Sequence, residues 1–493
     1  MFVILSRLKK KGKYSLVFFL WICYDSYEKK DKTFKTKVRE PMQMDLTRGG
    51  ITRPMLLFAG PMIAGNLLQQ CYNIVDTLIV GRALGASALA SVGFSFTLMT
   101  FLTSVLLGLC MGSGALWSML YGAEREEELK RCLFASFVFI GAVAVLLNVG
   151  VLALLEPVMT LLRIPAGAWD ETRAYLRVVL LGVCFTFLYN YFACLLRSVG
   201  NSVAPLAFLA VSTVLNIGLD LIFVPVLHWG VAGVAIATAI AYTVSAATLF
   251  IRLLKTDSVV RVNLRDLAID PVALKRIVKI GLPAGIQSAV FAVANIIIQS
   301  AINSLGTEVM AASSAAMSLE YVCYNLLNSF SQACTTFVGQ NHGARQIDRC
   351  TKTLKVCLVE GGIVALTTII VIVGLGREIL SLFNSDPNIV SIGYIRVCSI
   401  FPAYAFSMFY ENMSGYLRGF GISLTPALIT MICVCGIRFY WVFCVFPHFR
   451  TFANIMMVYP ISLGTTAFFM VVAVLLCHPA RTYRATQAKA TAR

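Results

Sequence analysis

The chain has 493 residues, 58% of them hydrophobic and only 13% charged, with a mean hydropathy of +0.79. Its charge content is about half that of a soluble domain, which excludes that class. The net charge of +17 does not point to nucleic acid, because the Lys and Arg cluster between long apolar runs, as they do in the loops that set membrane topology. A membrane β-barrel would alternate polarity in segments of about ten residues, whereas these runs are long and continuous. The chain therefore reads as an all-α integral membrane protein.

Residues 1–43 differ from the rest. They hold eleven Lys or Arg against four acids, and one apolar run, Ser15 to Cys23, that is too short to span a bilayer. No small-residue cleavage site follows that run. The stretch is expected to be a disordered basic extension, with Met44 opening the more natural beginning. Twelve apolar spans follow, at about 54–84, 88–117, 131–156, 173–198, 204–226, 230–254, 277–303, 309–337, 352–375, 393–418, 424–446 and 453–477. Loops after even-numbered spans carry most of the basic residues, including Lys130, Arg131, Arg265, Arg276, Arg345 and Arg349. The opposite loops carry few, such as Arg82, Arg163 and Arg450. This bias places both termini in the cytoplasm.

A shift of 221 residues brings the two halves into register. Gly60 falls on Gly281, Gly85 on Gly306, and LLRSVGNSVAP (195–205) on YLRGFGISLTP (416–426). Six spans separate equivalent positions, so the repeat keeps its orientation and its axis runs along the membrane normal. The expected domains are an N-terminal six-helix lobe over 44–254, a cytoplasmic linker over 255–276, a C-terminal six-helix lobe over 277–478 and a cytoplasmic tail over 479–493.

The repeat is most informative where it fails. Asp76 maps to Ile297, Asn216 to Ile437 and Asp220 to Trp441, so only the N lobe holds these polar groups. A carboxylate in hydrocarbon costs roughly 2.5–3.5 kcal/mol on insertion scales and usually marks an ion or proton path. Asn216 and Asp220 are spaced i, i+4, one turn apart on one helix face. With Asp76 they form a hard-oxygen cluster suited to a proton or a small cation such as Na⁺. Thr238 lies in a small-residue helix, GVAGVAIATAIAY, where close helix packing is as good a reading. Gln69 and Tyr72 share the first span with Asp76. Glu411, beside Asn412, maps to Asn190, so both lobes keep a polar group at that depth. Glu320 opens a stripe with Tyr321, Tyr324, Asn325 and Asn328 that suits the wall of a cavity for flat cations. A buried helix contact is the competing reading for Glu320, Glu411 and Glu360. Arg438, the one mid-span Arg singled out, is expected to pair with one of these acids.

Most of the fifteen cysteines lie in apolar runs without a CxxC pair and read as small buried hydrophobes. The four histidines lack metal-ligand spacing. No GxxxxGK[ST] loop is present, so a nucleotide motor is not expected. No cofactor is expected beyond a coupling ion.

QQCYNIVDTLIVGRALGASALASVG, LLRSVGNSVAP, NIGLDLIF and YLRGFGISLTP together resemble the multidrug and toxic compound extrusion (MATE) transporters. RFYWVFCVFP most resembles the MepA-like bacterial branch. The resemblance covers about residues 44–478. It implies a bacterial plasma-membrane protein with twelve helices in two lobes, acting as a monomer and exporting organic cations in exchange for H⁺ or Na⁺. It places the cation site on Asp76, Asn216, Asp220 and Thr238, and Gln69 at a polar cavity position; the residues themselves add Tyr72, Asn190, Gln287, Glu320, Tyr324, Glu411 and Asn412 as the expected substrate cavity. Some members place an acidic Na⁺ site on spans seven and ten. Here span seven reads LPAGIQSAVF, with Gln287 and no acid, which favours coupling through the N lobe. Two other functions stand as alternatives. A flippase for a lipid-linked saccharide needs a large cationic cavity, and an integral membrane enzyme needs clustered His, Cys or Asp at one face.

Overall fold

The computed structural model describes residues 44–84, 86–161, 164, 169–255, 270–382, 386–477 and 479–480. The expected extension over 1–43, the linker from 256 to 269 and the tail from 481 lie outside the described residues. The twelve spans are helices, labelled here in chain order. The N lobe contains α1 (Thr52–Ala83), α2 (Ala86–Gly122), α3 (Glu126–Ala153), α4 (Trp169–Ser198), α5 (Val203–Phe223) and α6 (Gly230–Lys255). The C lobe contains α7 (Pro271–Asn303), α8 (Thr307–Gly343), α9 (Ile347–Gly374) and α10 (Pro387–Ile400 and Tyr404–Gly419), then α11 (Leu424–Val445) and α12 (Phe452–Cys477).

Among the described residues, nine helices are long and apolar enough to cross a membrane on their own, and the two parts of α10 make a tenth, bent by 44°. The break in α10 contains Pro402, which has no N–H to continue the ladder. The remaining two, α1 and α8, carry the polar stripes identified from the sequence: Gln69 to Asp76, and Glu320 to Asn328. Helix α7 starts earlier than expected, at Pro271, because the Asp270 side chain accepts from the N–H groups of Val272 and Ala273. The C-terminal end of the expected linker is therefore the first turn of α7. Helix α11 also departs from its regular repeat mate α5, with π-helical turns over Thr430–Gly436 and Trp441–Val445.

The strongest sequence match of the repeat has a physical cause. Gly200 and Gly421 have φ of +92° and +80°, and each ends a helix. Asn201 N–H donates to Leu196 O after α4, and Ile422 N–H to Leu417 O after α10, the six-to-one bond of a glycine C-cap.

The lobes meet through α2 packed on α7 and α8, and α1 packed on α8. Close approach requires glycine. A Cβ at Gly112 would fall 2.6 Å from Gly281 Cα, and one at Gly122 2.0 Å from Gln340 O. These contacts lie in the halves of α2 and α8 nearest their C-termini. At the same end Arg276 of α7 bonds Glu128 of α3 at 2.9 Å. There residues 44–50 clasp both lobes. Met44 N–H donates to Gly200 O in one lobe. In the other lobe, Asn341 donates to Leu46 O, and Arg349 donates to the carbonyls of Leu46, Arg48, Gly49 and Gly50.

Candidate functional site

Helices α1, α5 and α6 pack side by side, with α4 behind α6. Asp76 lies seven residues before the end of α1, so it sits in the half of the lobe away from the inter-lobe contacts rather than at mid-helix. Asp220 is fully buried, Asn216 is 1% exposed and Asp76 is 9% exposed. The two carboxyl groups face each other at hydrogen-bonding range. Asn216 Nδ2 donates to Thr238 Oγ1 at 3.4 Å, and Tyr72 is a neighbour of Thr238, Tyr242 and Asp76. Gln69 Nε2 donates to the Tyr242 hydroxyl at 3.1 Å, and Tyr175 lies close to both aspartates. Thus α1, α5 and α6 bring together Asp76, Asn216, Asp220, Thr238, Gln69 and Tyr72.

Asp76 Oδ1, Asn216 Oδ1 and both carboxylate oxygens of Asp220 are buried without a hydrogen-bond donor. Among the described residues, no Lys or Arg forms an ion pair with either aspartate. Two ionised carboxylates held this way cost several kcal/mol each. A proton shared between them, or a small cation coordinated by the oxygens, would remove that cost. No group of three or more His, Cys, Asp or Glu able to hold a metal ion occurs among the described residues. The donor set of two carboxylates, an amide oxygen and a hydroxyl suits H⁺ or Na⁺.

The C-lobe residues do not converge in the same way. Glu320 is not a free carboxylate on a cavity wall, because it is buried in an ion pair with Arg396 of α10, which also bonds Ser313. Among the described residues, Arg438 pairs with no acid. Its Nη1 donates to Asn295 Oδ1 at 2.6 Å, and its guanidinium lies 5.2 Å from the Phe291 ring centre and 4.7 Å from that of Tyr459. It is also not the sole mid-span arginine, since Arg396 is equally buried, with its guanidinium 5.7 Å from the Tyr459 ring centre. Glu411 is 8% exposed and lies 3.9 Å from Arg418. Asn412 is fully buried, donates to Met408 O and packs against Gly361 of α9 rather than facing a cleft. Gln287 Nε2 donates to Thr430 Oγ1 at 3.1 Å, and Tyr324 stacks on Phe291. In the N lobe, Asn190 donates to Thr186 O of its own helix.

The sequence reading missed Tyr175, Tyr242 and Arg396. Tyr242 was accessible, because it follows Thr238 by one turn on the same face. Arg396, a charge within span ten, was the natural partner for Glu320. Tyr175 carries no spacing signal, since its place depends on how α4 packs.

The MatE family model matches twice, over residues 61–222 and 283–443, once in each lobe. The multidrug export protein MepA of Staphylococcus aureus is 25% identical over 350 residues, covering 69% of this chain and 76% of that protein. The Thermotoga maritima protein named "Probable multidrug resistance protein NorM" is 24% identical over 409 residues, covering 81% and 87%. A multidrug resistance MATE family transporter in an outward-facing conformation has a TM-score of 0.81 at 20% identity, covering 87% of this chain and 96% of that one. A transporter of the MOP superfamily from Pyrococcus furiosus gives 0.80 at 21%, with the same coverage.

Proposed function

The chain belongs to the MatE family, and from that premise we propose that it is a secondary active multidrug efflux antiporter. It exports organic cations or other xenobiotics in exchange for H⁺ or Na⁺. The observation that carries this reading is the facing pair Asp76 and Asp220, buried in the N lobe without a basic partner. Asn216 and Thr238 complete the coupling site, and Gln69 and Tyr72 extend it toward the substrate. Gln287 and Tyr324 supply polar and aromatic surface from the C lobe.

The exchange follows from competition for negative charge. With the lobes together at the end where residues 44–50 lie, the site lies in the opposite half. The basic loops support a cytoplasmic assignment for that closed end, which makes this arrangement outward-facing. There Asp76 and Asp220 take up a proton or cation, lose their charge and release a bound organic cation. Rocking of the lobes turns the site inward, the ion leaves, and the recovered charge attracts the next substrate. One charge crossing about 100 mV is worth roughly 2.3 kcal/mol. Exchanging one H⁺ for one monovalent cation moves no net charge, so the concentration gradient alone drives that cycle.

The test is ethidium efflux from cells lacking other pumps. Asp76→Asn and Asp220→Asn are each expected to reduce efflux to the pump-deficient background at normal membrane expression. Wild-type efflux from both variants would refute the assignment.

A further inference from the structure

The segment ahead of α1 is tied to both lobes. Asp45 accepts from the Thr47 N–H at 3.0 Å and from its hydroxyl at 2.6 Å, and Gly49 takes a φ of +70°, so residues 45–50 turn back on themselves. The turn gathers the carbonyls of Leu46, Arg48, Gly49 and Gly50 around the Arg349 guanidinium of α9, at 2.6–3.4 Å. Leu46 is fully buried, in a cluster with Phe337 and Val338 of α8, Cys350 of α9 and Tyr416 of α10. Its carbonyl also accepts from Asn341 of α8 at 3.1 Å. On the N-lobe side, Met44 N–H donates to Gly200 O at 3.1 Å. The approach is so close that a Cβ at Gly200 would fall 2.5 Å from Met44 O.

The 221-residue repeat supplies a comparison. Position 349 maps to Glu128, which holds the start of α7 through Arg276 at 2.9 Å, with the two side chains 42% and 47% exposed. A solvated ion pair of that kind contributes little. Arg349 instead donates charge-assisted bonds to several carbonyls at once, and Leu46 adds buried apolar surface. The segment continues into α1, which packs on α5 of the N lobe. We propose that residues 44–50 are a conformational latch. Held on the C lobe by Arg349 and Leu46, they keep the lobes together at this end, and they must come free before the lobes part there. The latch rests on the alternating-access reading above and adds to it the element that sets how often the closed end opens.

The test is single-molecule energy transfer across the closed end of the full-length protein. Glu124 and Arg345 are exposed and follow the equivalent helices α2 and α8, so dyes attached there through genetically encoded reactive residues report lobe separation and leave the native cysteines in place. Without substrate or ion gradient, the wild type is expected to dwell in a high-transfer state. Leu46→Ala and Arg349→Gln are each expected to raise occupancy of the low-transfer state that the wild type also visits by about tenfold. Arg276→Gln breaks the exposed counterpart and is expected to change it by less than about twofold. The converse is read by hydrogen exchange. Gly122→Ala, whose Cβ would fall 2.0 Å from Gln340 O, is expected to part the lobes and to speed amide exchange over residues 44–51. The proposal is overturned if either latch variant keeps wild-type populations, if Arg276→Gln shifts them as far, or if the lobes part in Gly122→Ala without faster exchange over 44–51. These readouts need neither ethidium nor a gradient. Failure of the coupling assigned to Asp76 and Asp220 would leave them standing, and failure of the latch would leave the efflux result standing.

Discussion

The two lobes share one helical plan and balance their buried charge in different ways. In the C lobe, Glu320 is matched by Arg396 and Glu411 has Arg418 at 3.9 Å, while the buried Arg438 bonds the Asn295 amide and the Glu360 carboxylate has no hydrogen-bond donor. In the N lobe, Asp76 and Asp220 face only each other and neutral groups, while Arg197 points at an amide. The difference extends to the backbone. Helix α5 carries Asn216 and Asp220 on one regular α-helical face, whereas its mate α11 contains two π-helical stretches and no acid. A charged residue inside a membrane lobe is therefore a weak sign of function by itself. What distinguishes the N-lobe pair is two acids facing each other with an amide and hydroxyls around them and no base, an arrangement that a proton or a small cation can complete.

This contrast can be broken at several points. The largest effect is the loss of efflux expected from Asp76→Asn and Asp220→Asn, which remove the unbalanced charge itself. Next is Glu320→Gln. It leaves Arg396 buried without its carboxylate, and breaking a buried pair this way costs about 3–5 kcal/mol. The thermal midpoint of the purified protein should fall clearly, and replacing both partners with Glu320→Gln and Arg396→Leu should recover part of the loss. An unchanged midpoint in the single variant would mean that the C-lobe pair is not structural. The smallest effect is expected from Tyr242→Phe. It removes one hydrogen bond to Gln69, worth about 0.5–1.5 kcal/mol. Ethidium efflux should persist with a modest rise in the substrate concentration needed for half-maximal rate, and complete loss would place Tyr242 within the coupling chemistry.

Much of this was legible in the sequence. The spans follow from hydropathy, and the repeat follows from residues with fixed backbone tasks, such as Gly200 and Gly421 at the helix ends. Asp76, Asn216 and Asp220 stood out because the other half lacks them. The C lobe was harder to read. Partner choice between Glu320, Glu411, Arg396, Arg418 and Arg438 depends on helix rotation and tilt, which spacing along one helix does not encode. The bend in α10 and the π-helical turns of α11 further rotate those side chains away from ideal helical positions.

The central claim is that substrate and coupling ion compete for Asp76 and Asp220. It is tested most directly by adding saturating ethidium to purified protein in weak buffer while following H⁺ with a pH electrode and bound ²²Na⁺ in parallel. The account predicts that ethidium displaces one of the two ions from the wild type and neither from the Asp76→Asn, Asp220→Asn double variant. Equal displacement from the double variant and the wild type would contradict it.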